Sequence, residues 1–197
     1  MSQPMDLAQR LADKALALGA DRARPFDAGR IVIQERVRLK CLTPLCPAYG
    51  VHLMCPPNLP SVDWFRKVVS QYKNALLIQV ISRLEQPRAG EAAMLKPEAK
   101  EDAFASALFL HKIVGKVEQE AMTLGCPLAA GLIAGHCRLC LVCVGQGSDQ
   151  PCPHPGKARP SMEAMGIDVV ATAAAATLPL KFPAKEEVVW TGLILVD

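Results

Sequence analysis

The sequence predicts an α+β (or α/β) fold in which a sheet of about four strands is covered by helices and interrupted by two cysteine-rich loops. Segments of helical and of strand periodicity alternate along the chain. The composition, 51% hydrophobic and 21% charged, is that of an ordinary globular domain. Proline and glycine concentrate at the two cysteine-rich stretches. We therefore expect residues 1–197 to form a single domain, with cysteine loops at 41–57 and 126–155.

The first half of the chain contains four expected elements. Residues 6–18 carry apolar side chains at helical spacing and predict an amphipathic helix. Apolar and polar residues alternate over 31–40, which predicts a strand that ends at Cys41. Serine is a favourable first residue of a helix, so a helix is expected over 61–72. The apolar run 75–81 then predicts a buried strand.

The second half continues the alternation. Residues 83–98 predict an exposed connection, because they are rich in charge, proline and glycine. The longest helix is expected over 101–124, followed by a short strand over 129–134. A further helix is expected to begin at 161 and to extend to 176. The apolar segment 187–196 predicts the last strand.

The C-terminal cysteine loop carries the clearest chemical signal, a Cys-x2-Cys-x2-Cys-x8-Cys-Pro pattern. No helix or strand buries three thiols of this spacing on one narrow apolar face, whereas a loop around a metal centre requires such spacing. The pattern is similar to the bacterial ferredoxin run, in which closely spaced cysteines and a distant Cys-Pro ligate iron–sulfur clusters. We expect a [4Fe-4S]-type cluster here, with four ligands: Cys137, Cys140, Cys143 and Cys152.

Zinc is the alternative metal at this loop. Structural zinc sites take one Cys-x2-Cys arm and a second pair from further along, so a third cysteine at this spacing fits a tetrahedron poorly. His136 and His154 flank the cysteines, and we expect them to donate hydrogen bonds, with direct ligation as the alternative. The residues between the cysteines are expected to shield the centre from water: Arg138, Leu139, Leu141 and Val142.

The N-terminal cysteine loop offers three further metal ligands, Cys41, Cys46 and Cys55, in the pattern Cys-x4-Cys-x8-Cys. Three thiols beside prolines and a glycine are difficult to explain as core residues, so we expect them to bind metal as well. A closed site needs a fourth ligand. The alternatives are Cys126, a non-cysteine ligand, exchange of Cys152 between the sites, or an iron left open to solvent or substrate.

The fourth position of this site determines which function is expected. A closed iron–sulfur centre transfers electrons, whereas an open one can bind and activate a small molecule as a Lewis acid. The nearest candidates for a proton donor or weak ligand at an open iron are Tyr49, His52 and Met54, for each of which ordinary packing is the alternative.

Charge and composition exclude several classes of partner. The net charge of +3 is small and only 5% of the residues are aromatic, so no nucleic-acid partner is expected. The amino-terminal residues lack a charged segment followed by an apolar run, so we expect no signal peptide. The apolar stretch 126–145 contains His136, Arg138 and four cysteines, which are costly in lipid, so no membrane association is expected. We therefore expect a cytoplasmic protein, whose thiols are free or metal-bound rather than paired as disulfides.

Together the motifs resemble an uncharacterised prokaryotic family of predicted metal-binding proteins, a domain of unknown function common in anaerobes. The resemblance spans about residues 30–180 and implies metal binding at the seven cysteines, whereas Cys126 falls outside it. The motifs that carry it are Lys40-Cys41, Cys46-x2-Tyr-Gly50, Cys55-Pro-Pro57, Cys137-x2-Cys140-x2-Cys143, Cys152-x-His-Pro155 and Arg159-Pro-Ser-Met-Glu-Ala-x-Gly-Ile-Asp-Val169.

Three functions remain as expectations. The first is an iron–sulfur electron carrier or redox subunit that serves a partner protein, since the sequence contains neither a Gly-x-Gly-x-x-Gly nor a Gly-x4-Gly-Lys-Ser/Thr nucleotide motif. The second is an enzyme that uses an open three-cysteine cluster to reduce or activate a small-molecule substrate. The third is a non-redox protein in which zinc holds the loops together.

Overall fold

The computed structural model describes residues 4–83, 97–145, 148–181, 184 and 187–197. The described residues form five α-helices and an open four-stranded antiparallel sheet, so the expected α+β class is confirmed. No helix within these residues is both long enough and apolar enough to cross a membrane. The elements in chain order are α1 (Pro4–Ala17), β1 (Arg22–Asp27), α2 (Glu35–Leu42), α3 (Val62–Val69), β2 (Asn74–Arg83), α4 (Pro97–Thr123), β3 (Ala130–Leu132), α5 (Val169–Ala175) and β4 (Glu187–Val196).

The sheet has the strand order β1-β2-β4-β3, and every neighbouring pair is antiparallel. The central strands β2 and β4 pair over their full length, from Asn74 opposite Val196 to Arg83 opposite Glu187. The edge strands β1 and β3 are shorter, with six and three residues. The two long strands therefore form the rigid centre of the fold.

Both faces of the sheet are buried. Leu76 and Ile194 pack with residues of α1 and α4 in one hydrophobic cluster. Leu77 and Leu193 pack on the opposite face, in a second cluster that includes Phe65 of α3 and residues of the 160s and of α5. A strand buried on both faces has an almost continuous apolar sequence, which explains why β2 and β4 are easy to predict.

Most of the expected elements are confirmed. Helices α1 and α4 and strands β2, β3 and β4 lie where periodicity placed them. Helix α3 begins after Ser61, whose hydroxyl oxygen accepts a hydrogen bond from the Trp64 backbone N–H at 3.2 Å, as expected for a capping serine. Of the expected connection over 83–98, residues 84–96 lie outside the described residues.

The expected strand over 31–40 is wrong, because this segment contains α2 instead. The helix has no buried residue, and Leu39 is exposed. The alternation of apolar and polar residues there does not correspond to a buried face, and Glu, Arg, Leu and Lys are good helix formers. The fourth strand is β1. The prediction missed it because Pro25 and two arginines interrupt the apolar pattern that is expected of a strand. Proline is tolerated there because β1 is an edge strand.

The expected continuous helix over 161–176 is also wrong. A 3-10 helix, Glu163–Met165, ends at Gly166, whose positive φ of 84° is strained for any residue with a side chain. Ile167 then forms a β-bridge with Ile33, and the Asp168 side chain caps α5. The interruption places residues 166–168 beside the segment that leads into α2.

Candidate metal centre

The C-terminal cysteine loop is closed at its base by backbone hydrogen bonds. Ile133, just after β3, donates its N–H to the carbonyl oxygen of Pro160 at 3.0 Å and accepts the N–H of Met162 at 2.9 Å. These two bonds bring the ends of residues 134–160 together at the sheet. The cysteine-bearing part of the chain is therefore a loop that projects from one fixed point of the fold.

Helix α4 anchors the returning arm of this loop. The Arg159 Nε donates to Glu118 Oε2 at 2.6 Å, and Glu118 Oε1 accepts the backbone N–H of Gly131 at 2.9 Å. Both side chains of the ion pair are largely buried. The ring of His111 forms a hydrogen bond to the carbonyl oxygen of Lys157 at 2.8 Å. A buried ion pair with further hydrogen bonds fixes the loop against the helix.

Four thiols of the C-terminal loop converge. Cys137, Cys140, Cys143 and Cys152 line one small cavity. Burial raises the pKa of Cys137, whereas backbone N–H groups of Leu139 and Arg159, hydrogen-bonded to its sulfur, lower this pKa.

A second sulfur of the same cavity also receives a backbone donor. The N–H of His154 points at the Sγ of Cys152 at 3.4 Å. A neutral thiol is a weak acceptor, so N–H groups directed at sulfur are of most use to a thiolate. Two of the four sulfurs, those of Cys137 and Cys152, thus have backbone N–H groups that would stabilise a thiolate.

The N-terminal cysteine loop begins on a helix. Cys41 lies in the last turn of α2, and the N–H of Cys46 donates to the Cys41 carbonyl oxygen at 3.1 Å. The Gly50 N–H donates to the Pro56 carbonyl oxygen at 2.8 Å and folds the loop back on itself. Cys55 is buried, whereas Cys41 and Cys46 are partly exposed.

The two loops meet at Cys55. Burial, together with smaller contributions from the neighbouring thiols of Cys46, Cys41, Cys137 and Cys143, raises the pKa of Cys55 to about 12. The first two neighbours belong to its own loop and the other two to the C-terminal loop. The seven cysteines expected as ligands are therefore assembled in two adjoining groups.

Direct packing joins the loops as well. A Cβ atom on Gly145 would lie 2.9 Å from Leu53 Cγ, so only glycine permits this close approach. The rings of His52 and His136 stand 4.6 Å apart, centre to centre, and His52 also lines the cavity of the four thiols. The N-terminal loop thus forms part of the wall around the C-terminal cysteines.

Both histidines at this contact are held neutral. Burial lowers the pKa of His136 to about 4, with smaller contributions from Arg138 and His52. Burial and then Arg138 lower the pKa of His52. Arg138 lies with its guanidinium 4.0 Å from the ring centre of Phe104, on α4. One positive charge therefore lies beside the two imidazoles, of which His52 lines the cavity of the four thiols.

Two residues expected to shield the centre do not do so. Leu141 is fully exposed and Val142 is 70% exposed, so the tip between Cys140 and Cys143 faces solvent. Leu139 does line the cavity of the four thiols. The loop is thus covered on its inner side by protein and open on its outer side.

Cys126 lies apart from the seven other cysteines. It is 5% exposed in the hydrophobic cluster of α1 and α4, and its thiol donates to the carbonyl oxygen of Asp197. That contact is at the C-terminal end of β4, whereas Gly135 approaches Trp190, about 20 Å away along the strand. Cys126 is therefore a core residue.

Residues 24–196 match the family model described as "Predicted metal-binding protein (DUF2284)". The chain belongs to this family. The resemblance seen in the cysteine motifs is thereby confirmed, and the family description supports a metal cofactor in general terms. No curated protein and no solved structure matches the chain significantly.

The thiols of this DUF2284 chain lie near one another but do not surround a common centre. Among residues 4–83, 97–145, 148–181 and 187–197, no three His, Cys, Asp or Glu side chains are gathered tightly enough to hold a single metal ion. The donor set consists of sulfur, with Tyr49 and Met54 in the same loop as Cys46 and Cys55. Met54 also lines the cavity of the four thiols.

Sequence reasoning missed Glu163. It belongs to the Arg-Pro-Ser-Met-Glu-Ala motif, and its carboxyl group is near enough to Cys41 to raise the pKa of that thiol. Its Oε2 atom is enclosed by protein and has no hydrogen-bond partner. The only sequence signal was the presence of this glutamate in a motif shared with the family.

A larger cavity adjoins the C-terminal loop. It has a volume of about 1110 Å³ and is bounded by α3, α4, β3 and the returning arm of the loop. Leu139 and Arg159 belong to its wall, and His111 and Lys112 contribute from α4. Its size is at the upper end of small-molecule sites, and Leu139 separates it from the four thiols.

Proposed function

We propose that the chain is an iron–sulfur protein with two [4Fe-4S]-type clusters, which transfers electrons as a carrier or as a redox subunit. Residues 1–197 would act as one metal-binding domain. When bound, such clusters supply one-electron chemistry. The proposed cysteine ligands are Cys41, Cys46, Cys55, Cys137, Cys140, Cys143 and Cys152.

The observation that carries the proposal is the environment of the four C-terminal thiols. They line one cavity, and backbone N–H groups point at two of their sulfurs. A cluster held by four thiolates is anionic, and hydrogen bonds to sulfur and nearby positive charge stabilise it and tune its potential. The N–H groups and Arg138 supply both features, which suits an iron–sulfur cluster.

The position of the second group of thiols supports electron transfer. Cys55 neighbours both Cys41 and Cys143, so a centre on each loop would lie close to the other. Two adjoining centres give an electron a path through the protein. The pathway would end at the exposed tip of the C-terminal loop.

The exposed tip offers a contact surface for a redox partner. Leu141 and Val142 project from it, and the N-terminal loop exposes Leu45. Exposed apolar side chains on a loop are typical of surfaces that contact another protein. We therefore propose that the partner docks at the cysteine loops rather than at the helices.

A redox titration under anaerobic conditions tests this function. The isolated protein is reduced stepwise with dithionite, reoxidised, and followed by electron paramagnetic resonance and by absorbance. We expect a signal that appears on reduction, disappears on reoxidation and survives repeated cycles. Iron and sulfide without a reversible signal would contradict electron transfer.

The second candidate is an enzyme that uses an open three-cysteine cluster on the N-terminal loop to bind and reduce or activate a small molecule. The 1110 Å³ cavity beside the C-terminal loop is large enough to hold such a molecule. In this reading a small molecule bound in the cavity would be reduced or activated. The same resonance spectra, recorded with a panel of small acids and amines, distinguish the two candidates. A spectrum that changes with one of them supports the enzyme, and a spectrum indifferent to all supports the carrier.

A structural zinc site is the remaining alternative. Cysteine-rich loops of this kind also hold zinc, which has no redox chemistry. An anaerobic preparation that contains zinc and lacks iron and sulfide would support the structural zinc site.

A further inference from the structure

The three thiols of the N-terminal loop are one ligand short of a four-ligand cluster. Cys126 cannot complete the set, since it lies in the core and bonds to Asp197. Cys152 belongs to the cavity of the other group. If a protein residue fills the fourth position, it is therefore a residue other than cysteine.

Glu163 is held next to this loop by the backbone. The 3-10 helix Glu163–Met165 packs against α2, which carries Cys41. The N–H of Gln34 donates to the carbonyl oxygen of Gly166 at 2.8 Å, and Ile33 forms a bridge with Ile167. These contacts, made by the two residues that follow the 3-10 helix, hold it against the start of α2.

The carboxyl group of Glu163 has one oxygen that makes no hydrogen bond. Burial raises the pKa of this carboxyl group, and its own N–H, the Ser161 hydroxyl and the Gly135 N–H lie beside it and oppose that rise. Its Oε2 atom is enclosed and has no partner. A buried carboxylate oxygen without a partner is costly, so such an atom in a native structure calls for a ligand that is absent from the protein chain.

The Glu163 carboxyl group also neighbours the Cys41 thiol, which in turn neighbours Cys46. Arg38 is the cation beside Cys41, and it donates to the Pro60 carbonyl oxygen at 3.0 Å. The carboxyl group thus adjoins the group of thiols that lacks a fourth ligand.

We propose that Glu163 is the non-cysteine ligand that completes the site of Cys41, Cys46 and Cys55. The inference rests on the proposed function, since it presupposes a cluster on this loop. A carboxylate oxygen is a harder donor than a thiolate and favours exchange with water or substrate oxygen. A centre held by Glu163 would thus have one ligand that is replaced more readily than a thiolate, whereas the C-terminal cluster would keep four sulfurs.

Two substitutions of Glu163 test the assignment on the anaerobically purified full-length protein. Glu163→Gln keeps the shape and removes the charged oxygen. Glu163→Cys offers a thiolate in its place. Glu120→Gln, a surface glutamate on α4 that pairs with Lys14, is the matched control. Iron and sulfide per chain, resonance spectra and circular dichroism are measured for all four proteins.

We expect Glu163→Gln to lose about half of the iron and sulfide, or to convert one cluster to a three-iron form with its own resonance signal, while Glu120→Gln matches the wild type. Glu163→Cys should retain full iron and change the spectrum of one cluster. Full iron with an unchanged spectrum in Glu163→Gln would overturn the assignment.

Should Glu163→Gln fail to fold, Glu163→Cys decides alone. Full iron with a shifted spectrum supports ligation, and iron loss or an unchanged spectrum overturns it. A wild-type protein that contains no iron would instead refute the proposed function, so the two failures are distinguishable.

Discussion

The two cysteine loops differ in the surroundings that they provide for their thiols. The C-terminal loop places four thiols around one cavity and directs backbone N–H groups at Cys137 and Cys152. The N-terminal loop holds three thiols, of which Cys55 is buried among four others with its pKa raised to about 12. The 3-10 helix packed against α2, which carries Cys41, bears a carboxyl oxygen, Glu163 Oε2, that has no hydrogen-bond partner.

From this difference we expect the two sites to have different roles. A site with four sulfurs and N–H donors is closed and suits electron storage, whereas a site with three sulfurs and a carboxylate leaves one exchangeable position. The loops adjoin at Gly145 and Leu53, so clusters bound as proposed would lie close to each other. Under that proposal the C-terminal centre would be closed, and the N-terminal centre would have one replaceable ligand.

The largest effect is expected from loss of a cysteine ligand. Cys140→Ala should remove about half of the iron and sulfide and destabilise the fold, because metal binding is coupled to folding. Cys55→Ala should remove the other half and leave the signal of the C-terminal centre. Metal analysis and absorbance of both variants measure this.

Cys126→Ala is the matched control for these variants. It removes a thiol that bonds to the Asp197 carbonyl oxygen, so about 1–3 kcal/mol of stability should be lost while iron content stays constant. Full iron in Cys140→Ala would contradict the assignment of the C-terminal loop.

The anchor of the C-terminal loop gives the next effect. Glu118→Gln leaves the buried Arg159 without its counter-charge, and we expect a loss of about 3 kcal/mol in the free energy of unfolding. Urea unfolding of the metal-loaded protein measures it. Glu120→Gln, which breaks an exposed pair with Lys14, should cost about 0.5 kcal/mol or less. Equal losses in the two variants would show that the buried pair does not hold the loop.

The support of the N-terminal loop is expected to be somewhat less sensitive. Gly166→Ala places a Cβ at a positive φ and 2.7 Å from Val62 Cγ1, so we expect a loss of about 2 kcal/mol. Gly156→Ala is the control, since a Cβ there meets nothing within 4 Å. Urea unfolding should separate the two variants, and indistinguishable midpoints would speak against strain at Gly166.

His111 is expected to give the smallest effect, a dependence of stability on pH. Burial lowers the pKa of His111, opposed by its hydrogen bond to Lys157 and by Glu118, and reinforced by Arg159. The unfolded chain therefore binds the proton more readily than the folded one. Stability from this group is complete above its ordinary pKa of 6.5 and falls as the pH is lowered below it.

His111→Gln measures this contribution. The slope due to His111 is at most about 1.4 kcal/mol per pH unit, and the variant should lack it between about pH 6.5 and pH 5. Urea unfolding across that range, compared with the wild type, reads it out. Parallel curves for the two proteins would mean that His111 does not titrate on unfolding.

The sequence predicted those parts of the fold that follow from local periodicity. Strands β2 and β4 are buried on both faces and therefore apolar throughout, and α1, α3 and α4 carry regular apolar spacing or a capping serine. Helix α2 was mistaken for a strand because its alternating residues are not buried. The break at Gly166 depends on the bridge from Ile33, a contact between distant residues.

The sequence indicates which cysteines belong to the candidate site but not how they are arranged in space. Cysteine spacing indicates metal ligands, and each cluster is local in sequence. The contact between Leu53 and Gly145 joins residues far apart in the chain, so no local sequence pattern predicts it. The position of Glu163 follows only from the packing of its 3-10 helix on α2.

The most direct test of the central claim is the metal and sulfide content of the wild-type protein, purified without oxygen and with its folding verified by circular dichroism. The account predicts iron and acid-labile sulfide in about equal amounts, enough for two clusters per chain, with little zinc. A folded protein that contains zinc without sulfide, or no metal at all, would contradict it.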